Sequence, residues 1–175
     1  MKSSTLILIS SRTFFNNFES LNVSNVKDMS GMFLNCNKIK NFKKISKWDT
    51  KNVINMSYMF SYCDSLKEIE DIKWNTENVI NMKGLFKGCS SLKDISGISN
   101  LDLSNVTDIS YMFCSCESLI SLPNLNWDTK NVTNMSYMFN GCISLKDISG
   151  ISNLDLSNVI DIGYMFEYCK NLISL

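Results

Sequence analysis

The sequence contains no histidine, one proline and, at Arg12, one arginine among its 17 basic residues. Without an imidazole, the chain lacks the side chain that enzymes use most often as a general base. With so little arginine, it also lacks the residue that nucleic-acid readers favour. The formal net charge is zero, so no basic excess indicates phosphate binding. These scarcities argue against an enzyme and against a nucleic-acid partner.

Long apolar runs are missing too, and none approaches the length of a membrane-spanning helix. The apolar stretch from Leu6 to Ile9 is short for a signal peptide. It is also in register with later sequence, because Leu6 precedes Phe33 by one repeat. Residues 1–20 are therefore interpreted as an irregular leader or degenerate N-terminal coil, with a crude export signal as the alternative. No clear anchor is present, and the sequence alone assigns no location.

What the chain does have is a repeat. Phe occurs at Phe33, Phe60, Phe86, Phe113, Phe139 and Phe166, and Cys at Cys36, Cys63, Cys89, Cys116, Cys142 and Cys169. Both columns step by 26 or 27 residues, which is typical of stacked repeat proteins. The prediction is one elongated domain over residues 21–175, with six repeats that start at residues 21, 48, 74, 101, 127 and 154. The last repeat is incomplete.

Within each repeat, apolar residues fall at about every third position. This period fits neither a strand nor a long helix, and it indicates a coil that bends around a narrow core. In the second repeat the residues expected to point inward are Val53, Met56, Met59, Phe60, Cys63, Leu66, Ile69, Ile72 and Trp74. Short strands are expected at L-K-[DE]-I, as in 66–69, and a short helical turn at M-S-Y-M-F.

Three polar columns are as regular as the apolar ones. Two accept both Asp and Asn, so they use the side-chain oxygen rather than its charge. The one before M-S-Y-M-F is interpreted as a helix N-cap. The third is always Asn, which predicts an amide ladder to backbone groups. Calcium is the rival, but half the mixed positions are neutral and no glycine-rich calcium repeat is present, so no metal is predicted.

Six of the seven cysteines occupy one repeat phase among apolar neighbours. They are interpreted as small buried side chains stacked along the core. Disulfides are the second interpretation, because neighbouring coils could bring sulfurs close. A zinc site is the third, since Cys114 and Cys116 are the only close pair and form C-x-C rather than C-x-x-C.

The segments NVINMSYMFSYCDSL at 52–66, SNVTDISYMFCSCESL at 104–119 and NVTNMSYMFNGCISL at 131–145 share one consensus. It resembles the repeats of the BspA-like leucine-rich-repeat surface proteins. The resemblance implies a leucine-rich-repeat-like, right-handed solenoid with short parallel strands on one side and helical turns and loops on the others. It also implies surface display, adhesion, and a host or extracellular protein as partner.

No nucleotide-binding or hydrolase motif occurs, and carboxylates recur once per coil as solvated surface does. The expectation is a non-enzymatic protein-interaction module without a cofactor or membrane span. The alternative is a passive spacer, or a fragment of a longer array, inside the cell. The candidate binding residues are Tyr58, Tyr111, Tyr137 and Tyr164, which share one phase. Their alternative role is packing between coils with the hydroxyl at the surface.

Overall fold

In the computed structural model of the protein, the described residues are 21–41, 43, 45–70, 72–99 and 101–173. Consecutive repeats lie side by side in parallel. A ladder of bridges joins one position of each coil: Asp28, Asn55, Asn81, Asp108, Asn134 and Asp161. The predicted leucine-rich-repeat-like stack is confirmed in this coarse form, whereas its right-handed sense stays a prediction. The interpretation of residues 1–20 lies outside the described residues.

The expected strands at L-K-[DE]-I are wrong as strands. Every β pairing among the described residues is an isolated bridge, and the continuous ladder runs through the Asx column instead. Within the expected segments, single parallel bridges join Glu68 to Asp94 and Ser121 to Asp147. A strand needs several successive extended residues, but a coil that turns one residue in three inward bends again before a second pair forms.

The expected helical turn at M-S-Y-M-F is also wrong. Tyr58 has a φ of 56°, which lies in the left-handed region and interrupts a right-handed helix. The Asn55 side chain accepts a hydrogen bond from the Ser57 N–H at 3.0 Å, so the column forms Asx turns rather than N-caps. The helices in the described part of the chain are two 3₁₀ helices, Ser96–Ile98 and Ser149–Ile151.

The predicted core is confirmed. All nine inward positions of the second repeat are buried, including Ile72, the most exposed of them at 7%. Phenylalanine rings form a continuous stack along the axis, with centroids 5.2 Å apart between Phe33 and Phe60 and 5.7 Å apart between Phe60 and Phe86. Because one coil cannot bury its own apolar face, this shared core holds the coils together.

The predicted amide ladder is confirmed as well. Asn78 donates from Nδ2 to the Lys51 carbonyl at 2.8 Å, and Asn105 does the same to Glu77. The same bond to the preceding coil recurs at Asn52, Asn131 and Asn158. Asp cannot donate this bond, which explains why the column contains Asn alone.

The cysteines of the column are free thiols, and they form hydrogen bonds to the preceding coil. Cys89 Sγ donates to the Phe60 carbonyl at 3.2 Å, and Cys116 Sγ donates to the Phe86 carbonyl at 3.3 Å. Burial raises the pKa of the Cys89 thiol to about 12 and also raises that of Cys116. The structural interpretation is therefore confirmed, with an added role as hydrogen-bond donor.

A candidate tyrosine binding edge

Each coil makes two tight turns between its Asx residue and its cysteine. In the second repeat, the Met59 N–H donates to the Met56 carbonyl and the Cys63 N–H donates to the Phe60 carbonyl, both at 3.2 Å. The third residues of these turns, Tyr58 and Tyr62, have φ values of 56° and 60°. A turn of this kind normally takes Gly or Asn at that position, because a Cβ is crowded there.

All six tyrosines of the chain occupy this left-handed position. We call the two columns of third residues the tyrosine edge: Gly31, Tyr58, Gly84, Tyr111, Tyr137 and Tyr164 in the first column, and Asn35, Tyr62, Gly88, Ser115, Gly141 and Tyr168 in the second. A left-handed conformation costs a non-glycine residue about 1–2 kcal/mol. Strained backbone of this sort is concentrated at functional sites.

Three of the four predicted site residues are brought together. The rings of Tyr111 and Tyr137 stack with centroids 4.7 Å apart, and those of Tyr137 and Tyr164 stack at 4.9 Å. Tyr164 is 60% exposed, whereas Tyr58, Tyr111 and Tyr137 are half-buried. The rings thus pack on one another and still reach the surface, so they combine features of the binding and packing interpretations.

The stacking changes the chemistry of the middle ring. Desolvation raises the pKa of the Tyr137 hydroxyl, and Tyr111, Tyr164 and Glu167 add to the shift. A tyrosine hydroxyl is already protonated at neutral pH, and this upward shift leaves it a hydrogen-bond donor. Glu167 in turn accepts a bond from the Asn140 amide at 2.8 Å, which places a polar group beside the stack.

Tyr58, the fourth predicted residue, lies apart from the stack. Its ring covers Gly84 of the next coil, where a Cβ would overlap the ring. Tyr62 covers Gly88 in the same way. The close approach of the rings requires glycine at these two positions, and glycine also adopts the positive φ of 59° and 73° without strain.

Sequence reasoning missed Tyr62 and Tyr168, as well as two lysines beside the edge. The Nζ atoms of Lys83 and Lys87 lie 5.5 and 4.8 Å from the Tyr111 ring centroid, within the range of cation–π contacts. The missed signal was the four-residue spacing between Tyr58 and Tyr62, which places both at equivalent positions of successive turns. No group of residues that could hold a metal ion is found in the described part of the chain.

A family model described as "Mycoplasma protein of unknown function, DUF285" matches residues 7–113 and 85–174. The chain belongs to the DUF285 family. No curated protein matches this DUF285 chain. Among its described residues, no helix is both long and apolar enough for a membrane span.

Two solved structures are similar to the DUF285 chain. One is a leucine rich cell surface protein from Faecalibacterium prausnitzii A2-165, with 22% identity and a TM-score of 0.47, covering 73% of this chain and 32% of that one. The DUF285 chain thus spans about a third of that protein's length. The other is a leucine rich repeat protein from T. pallidum, with 20% identity and a TM-score of 0.46, covering 84% of this chain and 72% of that one.

Proposed function

We propose that the protein is a non-enzymatic protein-interaction module that binds its partner through the tyrosine edge. The observation that carries the proposal is the placement of all six tyrosines at left-handed turn positions. Tyrosine supplies a large rigid surface with a polar end, and it is enriched where proteins bind one another.

The main reason to prefer a binding role over a passive spacer is that the fold does not need these tyrosines. Coil packing is maintained where Gly31, Gly84, Gly88 and Gly141 occupy the same positions without strain. A spacer would be served best by glycine or asparagine throughout. Tyrosine at a position that disfavours it therefore supports a use outside the coil itself.

The proposal extends to a surface role. The BspA-like character of the repeats at 52–66 and 131–145 supports a right-handed solenoid that is displayed on the cell and adheres to a host or extracellular protein. Several adjacent coils contribute tyrosines to the edge. Repeated contacts of this kind with one partner raise the overall affinity without any new type of contact.

The first test is location. Intact cells that produce the protein are labelled with a membrane-impermeant biotin reagent and compared with labelled lysate. The proposal expects the protein among the labelled surface proteins of intact cells. Detection only in the lysate would contradict the surface role but not the interaction role.

The second test separates binding from folding. Tyr111, Tyr137 and Tyr164 are replaced together by Gly, the residue that the chain itself uses at this position in Gly84. The variant should fold and should lose partners that wild type captures from biotin-labelled surface extracts, quantified by mass spectrometry. A control replaces the exposed Ile54 and Ile80, which do not belong to the tyrosine edge, by Ser. An unchanged partner set for the tyrosine variant would contradict the proposal.

A further inference from the structure

The third repeat differs from the others along the tyrosine edge. It is the one coil with glycine at both left-handed positions, Gly84 and Gly88, and each glycine is preceded by a lysine. At the place of Lys83, other coils carry Ser30, Ser57, Ser110, Ser136 and Gly163. At the place of Lys87, they carry Leu34, Ser61, Cys114, Asn140 and Glu167. A cationic pair on this edge thus occurs in one coil only. Structural features recur in every coil, whereas a specific binding site is expected once.

Backbone contacts fix the two lysines beside the tyrosines of the preceding coil. The Tyr58 N–H donates to the Lys83 carbonyl at 2.8 Å, and the Tyr62 N–H donates to the Lys87 carbonyl at 2.6 Å. The tyrosine rings then lie over the two glycines. On the other side, both lysine side chains extend over the ring of Tyr111. The phenol rings of Tyr58, Tyr62 and Tyr111 therefore flank the edge of the third coil, which itself supplies the two ammonium groups.

The charge of this cluster is not compensated within the part of the chain that the structure describes. Ion pairs there join Lys43 to Glu70, Lys51 to Asp49, and Lys130 to Asp128, and none involves Lys83 or Lys87. Two like charges that converge on one ring repel each other. An anion bound between them would relieve that repulsion and would also accept hydrogen bonds from phenol hydroxyls.

Building on the proposed function, we propose that Lys83 and Lys87, with Tyr58, Tyr62 and Tyr111, form a docking site for an acidic peptide segment of the partner protein. Carboxylates of the segment bind the two ammonium groups, and its apolar atoms pack on the accessible parts of the Tyr58 and Tyr62 rings. A protein partner is favoured over nucleic acid for two reasons. Tyr111 stacks on Tyr137 at 4.7 Å and contacts both lysines, so its faces are not offered to a base. The formal net charge of the chain is zero, so no basic excess favours a phosphate backbone.

The test is a titration followed by fluorescence anisotropy. The probe is a fluorescein-labelled peptide rich in Glu and Tyr, with a matched peptide that has Gln in place of every Glu. Wild type should bind the acidic peptide and not the Gln peptide. Replacing Lys83 and Lys87 by Ser, the residues that coil two has as Ser57 and Ser61, should weaken binding by at least roughly tenfold, since charge-assisted contacts are lost.

The matched control replaces the exposed Lys67 and Lys93 by Ser, which changes the net charge equally on another part of the surface. This control should bind like wild type, and Lys83→Arg with Lys87→Arg should keep most of the affinity. Equal losses in both serine variants would overturn the site in favour of general electrostatic attraction. Tighter lysine-dependent binding of a labelled single-stranded oligonucleotide would overturn the choice of partner.

The proposed function and this site fail in distinguishable ways. If the triple tyrosine variant loses its protein partners while the lysine variant keeps them, and wild type does not bind the acidic peptide, the edge binds but the acidic site does not exist. If the peptide binds through Lys83 and Lys87 while the surface partners are independent of the tyrosines, the site stands and the wider edge does not.

Discussion

The phenylalanine stack has one ring in every coil, whereas the tyrosine edge has rings only in the second, fourth, fifth and sixth coils. The two features therefore differ in how strictly their residues are kept. All six coils carry Phe and Cys in the interior columns, whereas the edge columns contain Tyr, Gly, Ser and Asn. Interior positions are constrained by every neighbouring coil at once. Edge positions are free of that constraint, so their variation is where coils can acquire separate roles. The third coil is the clearest example.

The largest expected effect on the free energy of unfolding comes from alkaline pH, which acts on the buried thiols of the interior. Burial raises the pKa of Cys89 from 9.0 to about 12, and the thiols of Cys63, Cys116 and Cys142 are raised for the same reason. Folded thiols stay protonated where unfolded ones ionise, so their contribution is intact below pH 9 and is lost as pH rises toward 12. Between its unfolded and its folded pKa, each thiol lowers the free energy of unfolding by about 1.4 kcal/mol per pH unit. The combined loss from the buried thiols should unfold the chain.

Urea denaturation at several pH values above 9 measures this loss. The control is Cys89→Ser, which keeps a hydrogen-bond donor but does not ionise in this range. Its free energy of unfolding should fall less steeply with pH than that of wild type, by about 1.4 kcal/mol per unit. Identical slopes would show that the buried thiols do not cause the alkaline sensitivity.

Replacing one ring of the phenylalanine stack is the next most severe change. Phe86 is fully buried and stacks on Phe60 and Phe113 at 5.7 and 5.8 Å. Phe86→Ala should lower the free energy of unfolding by about 3–5 kcal/mol, because it leaves a cavity in the shared core. Urea denaturation followed by circular dichroism measures it. The matched control, Ile80→Ala at an exposed site in the same coil, should change it by less than about 0.5 kcal/mol.

These interior features were the ones that the sequence predicted well. A period near three is enough to identify Val53, Met56 and Phe60 as buried, since each contributes its apolar surface to a common core. The edge was predicted only in part. The left-handed φ of Tyr58 depends on turns closed by local hydrogen bonds, and tyrosine there contradicts its normal preference, so composition and spacing could not indicate it. The strand prediction failed because the coil bends again before a second pair of residues can form a bridge, and spacing alone does not show where the chain bends.

Substitutions in the asparagine ladder should cost less stability than those in the core and more than those at the edge. Asn105 is exposed, yet its amide donates to the Glu77 carbonyl of the preceding coil at 2.8 Å. Asn105→Asp removes the donor with little change in shape and should cost about 0.5–1.5 kcal/mol. Thermal denaturation compares it with Asp102→Asn, a control in the mixed column, where either residue supplies the oxygen that accepts from the Ser104 N–H. Equal costs in the two columns would contradict the ladder's need for a donor.

The smallest effect is expected at the edge itself, with Tyr62→Gly. Glycine relieves a left-handed strain of about 1–2 kcal/mol, and the loss of ring packing over Gly88 offsets part of that gain. The free energy of unfolding should therefore change by no more than about 1 kcal/mol. Tyr62→Ala loses the same packing and keeps the strain, so urea denaturation should rank it below Tyr62→Gly. The reverse order would contradict the left-handed strain at this position. A Tyr62→Gly variant much less stable than wild type would mean that the edge tyrosines stabilise the coil, and the reason to assign them an external partner would disappear.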